Sequence, residues 1–437
     1  MDNESANPGA ARAKRGFSGA AAGLVALCSA AYFMSYLTRK SYDASILAIC
    51  DSTGLLRTAA SLASTAAVVM YGSGQLVTGF LADRLDPRKM IFAALLVTAG
   101  CNASMPVAAG CVPAMVALWA VNGFAQAMFW PPLVKIVAVN LPAESFKSAV
   151  FWISVACNAA IVTVFVLVSG CIRFAGWRTS FAVVSVLAVA MAAAWRASVF
   201  KLAPEASLPA GAAAGGRGGA GNTAAAPAGR VPMAALLASA GVFPVMAVIA
   251  CHGIIRDGIE VWAPSIVRDQ YGLGTSGSVF SVALLPLFAV GSMVVARRIR
   301  RAVGDEMRAA FLLFCTALGC AAFLFATRGA TLAVGLPALA VLSASMHGAN
   351  LMLIGELPGR FARHGRVGAV SGLLNAFTYV GAAAAIYCFA ALRERFSGWR
   401  PVFALWMAVL SLGIVLLLFA MPRWLRFRRS EEGGEAA

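Results

Sequence analysis

"GFLADRLDPRKM", residues 79–90, interrupts a chain that is otherwise largely apolar. It is a short charged connection holding Asp83, Arg84, Asp86, Arg88 and Lys89. On either side lie runs almost free of charge, 58–82 and 89–109. Each is about 20 residues long, the length of helix that crosses a hydrocarbon core of about 30 Å.

Working outward, runs of this kind recur. The first half supplies 17–49, 58–82, 89–109, 112–139, 147–171 and 176–197. The second supplies 232–268, 276–297, 308–327, 331–356, 366–391 and 400–421. The chain has 437 residues, of which 60% are hydrophobic and only 12% charged. Soluble domains carry about 25% charged residues. Lipid leaves only helices or closed barrels as spanning structures, and unbroken apolar runs select helices over the alternating strands of a barrel. The expectation is an all-α membrane protein with twelve transmembrane helices in two six-helix bundles. They divide as 1–203 and 231–437, joined by "PEASLPAGAAAGGRGGAGNTAAAPAGR" (204–230), a Gly/Ala/Pro linker without apolar periodicity.

The formal net charge is +17. With the N-terminus placed in the cytoplasm, 24 of the 35 Lys and Arg fall in inner segments and 8 in outer ones. Basic residues concentrate on the inner side of membrane proteins. The charge therefore reports topology, with both termini and the linker cytoplasmic, rather than nucleic-acid binding. Arg12, Lys14 and Arg15 lead into a first helix too long for a cleaved signal. The ten cysteines, lacking CxxC spacing, read as small apolar packing residues. No metal, cofactor or nucleophile motif suggests an enzyme. The cell membrane and a monomeric state are the expectations for location and assembly.

Three basic residues remain, Arg39, Lys40 and Arg256, all inside apolar runs. Charges there are expensive and usually functional. Arg39 lies in the first helix of one half, in "YLTRKSYD" (36–43). Arg256 lies in the first helix of the other, in "RDGIEVWAP" (256–264). Repeated halves place equivalent positions across a shared central site. Two guanidinium forks facing one cavity suit a phosphate, and a carboxylate by the same geometry. Glu260, four residues beyond Arg256, shares its helix face, so Arg256 is expected to pair with Asp257 or Glu260. Lys40 points about 100° from Arg39 and is the secondary contributor. Asp43 and Glu356 are further charges in these runs, and His252 has equal claims to the cavity and to packing. Pro131, Pro132 and Pro264 are expected to bend their helices.

The connection quoted first resembles the G-x-x-x-D-R-x-x-R-K loop of the major facilitator superfamily. The resemblance implies that Gly79, Asp83, Arg84, Arg88 and Lys89 latch the two halves. Four further segments are similar to the organophosphate:phosphate antiporter family, the glycerol-3-phosphate and hexose-6-phosphate transporter type. They are "YLTRKSY" (36–42), "GFAQAMFWPPLVK" (123–135), "RDGIEVWAP" and "SGLLNAFTYVGA" (371–382). This likeness implies Arg39 and Arg256 as the phosphate-binding pair, with Tyr36, Lys40, Gln75, Asn158 and Tyr379 as further contacts. Asp257, Glu260 and His252 are the charge-coupling candidates. The chain departs from the family where Gln75 replaces a lysine and Cys157 a histidine, and the helix-eleven charge pair is missing. The function implied is alternating-access transport of a phosphate-bearing organic anion in exchange for phosphate. Two alternatives stand beside it: a proton-coupled carboxylate transporter, and a sugar-phosphate sensor with a transporter fold.

Overall fold

The computed structural model of the chain describes residues 19–204, 233–327, 331–361, 364 and 367–433. The predicted linker, beyond Pro204, and the N-terminal basic cluster lie outside the described residues. Twelve long helical segments follow: α1 Gly19–Thr53, α2 Arg57–Arg84, α3 Pro87–Ala108, α4 Val112–Asn140, α5 Ala143–Phe174 and α6 Trp177–Leu202. After a short helix, Met233–Ser239, come α7 Val242–Tyr271, α8 Thr275–Val303, α9 Glu306–Thr327, α10 Leu332–Phe361, α11 Val367–Arg395 and α12 Arg400–Gly433. Among the described residues, eleven helices are long and apolar enough to cross a membrane. The exception is α2, a 28-residue helix rich in Ala, Gly, Ser and Thr.

Local chemistry sets the helix boundaries. Asp86 caps α3 by accepting the Arg88 backbone N–H at 2.9 Å, and Pro87 opens the helix where its missing donor costs nothing. Gly272 ends α7 in the left-handed region at φ 68°, a conformation that favours glycine. Three spans are interrupted, α8 by a turn at 283–284 ahead of Pro286 and two others more extensively. In α4 a turn at 127–129 is followed by Pro131 and Pro132, which have no N–H to continue the ladder. In α10 the helix widens to a π-turn over Leu351–Glu356 and tightens to 3₁₀ over Leu357–Phe361. These are the fourth helix of each half, so the irregularity repeats with the fold. Pro264, by contrast, sits inside a continuous α7.

Most contacts stay within a half, as α2 packs on α4, α1 on α5 and α6, α7 on α11, and α9 on α10 and α12. The halves meet where α2 faces α11, α5 faces α8 and α1 faces α7. Small residues make the close approaches. A Cβ on Gly123 would strike the Ala67 backbone between α4 and α2, and one on Gly381 would strike the Ala250 carbonyl between α11 and α7.

Among the described residues, the two ends of the bundle differ. At the α1–α2 end, ion pairs join the halves: Arg57 with Asp269 at 2.6 Å and Arg268 with Asp51 at 2.5 Å. Arg393 and the Trp399 indole also donate to Asp269, and Thr58 donates to Glu394. At the α2–α3 end, Arg88 with Asp86, Arg300 with Glu356 and Arg360 with Glu306 each stay within one half.

Candidate functional site

The site begins with helix length. The 35 residues of α1 span about 52 Å, well beyond a core of about 30 Å, so Arg39, its twenty-first residue, is deep in the span. Arg256 is fifteenth of the thirty residues in α7. Both central positions hold a guanidinium at mid-helix.

A polar network fixes α1 there. The Thr38 carbonyl accepts from Asn102 of α3 at 2.9 Å and from Asn122 of α4 at 3.2 Å. Gln126 donates to the Thr38 hydroxyl at 2.9 Å, and Ser41 to Asn102 at 2.6 Å. These residues are almost wholly buried, where an unmade hydrogen bond is costly, so the network sets the rotation of α1. It turns Arg39, Lys40 and Asp43 into a narrow central cavity of about 30 Å³. Asn122 and Gln126 line it on one side, and Asp257 and Tyr379 on the other.

Arg39 has no carboxylate within ion-pair distance among the described residues. Its guanidinium lies 4.0 Å from the Tyr71 ring centroid and 5.8 Å from that of Tyr36. Lys40 is fully engaged, 3.3 Å from Asp43 and 2.9 Å from Glu260 across the junction of the halves. Asp43 also accepts from Ser64 at 2.6 Å. Arg256 grips its neighbour Asp257 through two nitrogens, at 2.8 and 3.2 Å, and donates to Asn350 at 3.1 Å. Of the two expected partners of Arg256, Asp257 is the one it binds. Glu260 turns to Lys40 and to His347, whose Nε2 is 3.3 Å away.

The sequence-predicted residues fall into distinct places. Arg39, Lys40, Asp257 and Tyr379 line the central cavity, and Tyr379 lies within electrostatic range of both arginines. Arg256 stands behind Asp257 rather than in the lining. Asn158 lines a second, neighbouring cavity with Glu260 and His347, so the Lys40–Glu260 bridge partitions the two. Tyr36 packs edge-on against Tyr32. Gln75 donates to the Tyr71 hydroxyl at 2.7 Å and accepts from Asn375 at 3.4 Å, joining α2 to α11. His252 is 1% exposed, with neither ring nitrogen hydrogen-bonded. Glu356 belongs to Arg300 and Arg297 near the end of α10.

The side chains of Asp83 and Arg84 and the surroundings of Gly79 lie outside what is described. Arg88 holds Asp86 and the Ala203 carbonyl in the first half and the Pro204 carbonyl at the start of the linker, and Lys89 is exposed. Burial alone would raise the Asp86 carboxyl, but the hydrogen bonds and charge of Arg88 outweigh it and hold the pKa below its ordinary value.

Sequence reasoning missed His347, Asn350 and Tyr71. The signal for the first two was present. "SASMHGAN" (343–350) is a small, polar run in the middle of an apolar span. Tyr71 carried no such mark.

Residues 28–386 match the sequence profile of the Major Facilitator Superfamily. The chain belongs to that superfamily. The family and the relatives below indicate a transporter rather than an enzyme. Among similar proteins are a probable hexose phosphate transport protein of Chlamydia muridarum, 24% identical over 163 residues, and the glycerol-3-phosphate transporter of Bacillus subtilis, 25% identical over 159 residues. Each alignment spans only 35% of the relative's length, and 37% and 35% of this chain respectively. A crystal structure of a bacterial homologue of the human lysosomal transporter Spinster, inward-facing and occupied, superposes with a TM-score of 0.71. It is 12% identical, covering 95% of this chain and 98% of that one. A bacterial homologue of the human drug peptide transporters gives a TM-score of 0.68 at 14% identity, covering 94% and 99%. At such identities these structures report the fold alone.

Proposed function

We propose that this transporter moves a phosphate-bearing organic anion by alternating access, held between Arg39 of the first half and Arg256 of the second. Inorganic phosphate is the smallest ligand of this kind and serves as the exchange partner. The observation that carries the reading is Arg39. A guanidinium at mid-span, lining a cavity without a carboxylate partner, offers a planar fork of donors to an incoming oxyanion. The partial likeness to hexose phosphate and glycerol-3-phosphate transporters supports the substrate class.

Binding begins at Arg39. The Tyr71 ring supports the cation through its face, an interaction of about 0.5–2 kcal/mol that leaves the in-plane donors free. Arg256 joins when the ligand displaces Asp257 from its fork. Because the arginines come from opposite halves, an anion that bridges them favours states in which the halves close around it.

The bias of basic residues toward the α2–α3 end supports a cytoplasmic location for that end and both termini, in the cell membrane. The ties at the α1–α2 end then close the outer face. The direct test is purified protein in liposomes preloaded with phosphate, measuring uptake of labelled phosphate against a panel of phosphate esters and carboxylates. Competition by esters supports the reading. Competition by carboxylates alone, or no phosphate flux, overturns it.

A further inference from the structure

His347 is the titratable group at the site that the clamp does not use. Its Nδ1 lies 2.9 Å from the Ser343 carbonyl oxygen, which can only accept, so Nδ1 carries a proton. Nε2 lies 3.3 Å from the Glu260 carboxylate. A neutral ring presents a lone pair to that oxygen, and a protonated ring presents an N–H. The contact is therefore complete only with a second proton on Nε2. Histidine is the side chain that ordinarily changes charge between pH 5 and 8.

The groups facing His347 are few. From α7 come Glu260, His252 and, one turn away, Arg256. Lys40 of α1 reaches it through Glu260, and α5 contributes Asn158, with Cys157 beyond Glu260. The α8 side of the cavity is apolar, lined by Val282, Leu285, Pro286 and Ala289, and α9 meets the adjacent Gly348 through Leu313. Glu356, on α10 itself, is turned to Arg300.

Charge balance gives this proton a function. With His347 neutral, Arg39, Lys40 and Arg256 are matched one for one by Asp43, Asp257 and Glu260. The empty site then carries no net charge, so it closes without burying a net charge, with Arg39 resting on the Tyr71 ring. An anion entering that site alone leaves it negative. A proton on His347 Nε2 supplies the one positive charge that balances a monoanion, the singly charged form of a phosphate or its ester.

We propose that His347 is the proton-carrying residue of the transport cycle, so that the chain moves its anion together with a proton and returns empty. This rests on the anion-transport reading above and makes phosphate exchange one mode of the carrier rather than an obligation. The proton arrives on Nε2 from the side where the anion binds and leaves on the side where the anion is released. Bound anion and imidazolium stay together in the loaded carrier, so exchange needs no deprotonation, whereas net uptake does.

The experiment compares labelled inorganic phosphate uptake into phosphate-free and phosphate-loaded proteoliposomes, with the outside acidified by about one pH unit. Wild type is expected to fill phosphate-free vesicles, faster under the acid gradient, while an internal pH dye reports acidification. His347→Gln is expected to lose the acid-driven net uptake while exchange remains measurable. Phosphate itself gains a proton over the same pH range, so the variant comparison assigns the effect to the imidazole. Wild-type exchange without net uptake overturns the proposal, as does a His347→Gln protein with undiminished acid-driven uptake. Should His347→Gln fail to fold, His347→Asn carries the same comparison. Absence of flux in both vesicle types overturns the phosphate reading itself, and this inference with it.

Discussion

At the scale of single residues, the two arginines play unequal parts. Arg256 is held by Asp257 and Asn350, whereas Arg39 rests on an aromatic face. Lysine keeps the charge but loses the planar fork. Arg39→Lys and Arg256→Lys are each expected to cut phosphate exchange in liposomes by about tenfold or more, the equivalent of one lost charge-assisted hydrogen bond of about 1.5–3 kcal/mol. Exchange at the wild-type rate in either would remove that arginine from the clamp. Glu260→Gln leaves Lys40 with Asp43 alone. Breaking one partner of a buried pair costs about 3–5 kcal/mol, discounted here because Asp43 remains. A lowered melting temperature in detergent is the readout, and an unchanged one would mean that the bridge across the halves adds nothing to stability. The arginines were legible because the repeat places a cation at the same point of both halves. His347 was not, because one histidine in an apolar helix looks the same whether it packs or titrates, and only its two acceptors distinguish the cases.

At the scale of helices, the sequence marked most spans to within a few residues, since apolar length is the physical requirement for crossing lipid. It did not reveal how α1 is rotated. That depends on Asn102, Asn122 and Gln126, polar residues whose partners are remote in sequence. Asn102→Ala is expected to destabilise the protein by about 1–3 kcal/mol, through the two buried hydrogen bonds it removes, one to the Thr38 carbonyl, which keeps Asn122, and one from the Ser41 hydroxyl. It should also weaken phosphate binding, because Arg39 is the next residue. A variant with full stability would show that α1 is held by packing alone. The same logic applies between α7 and α11, where Gly381→Ala forces backbone apart. A cost of about 1–3 kcal/mol is expected, again read from thermal unfolding. The acid limb of stability has a separate source at the α2–α3 end. The folded Asp86 carboxyl titrates below its ordinary value, so its contribution is complete above the ordinary carboxylate range and is lost as pH falls through the lower, folded value. Asp86→Asn is expected to flatten the stability profile below about pH 4, and a profile with the wild-type slope would contradict this.

At the scale of the molecule, the two-half layout followed from counting spans and basic residues. Which end is tied did not, because ion pairs such as Arg57 with Asp269 join residues far apart in the chain. Removing that carboxylate charge is expected to shift the resting population toward opening at the α1–α2 end. Labels on α2 and α7 at that end should report a longer distance in Asp269→Asn than in wild type. An unchanged distance would show that helix packing alone holds the end closed.

Asp269 has a further consequence for how that end moves. Arg57 of α2, Arg393 of α11 and Trp399 just before α12 all share one carboxylate. Arg393 and Trp399 lie in the same half as Asp269, so only Arg57 leaves when the end opens and the carboxylate stays held in place. The catch re-forms on one fixed acceptor, and single-molecule distance traces should return to the same closed level after every opening.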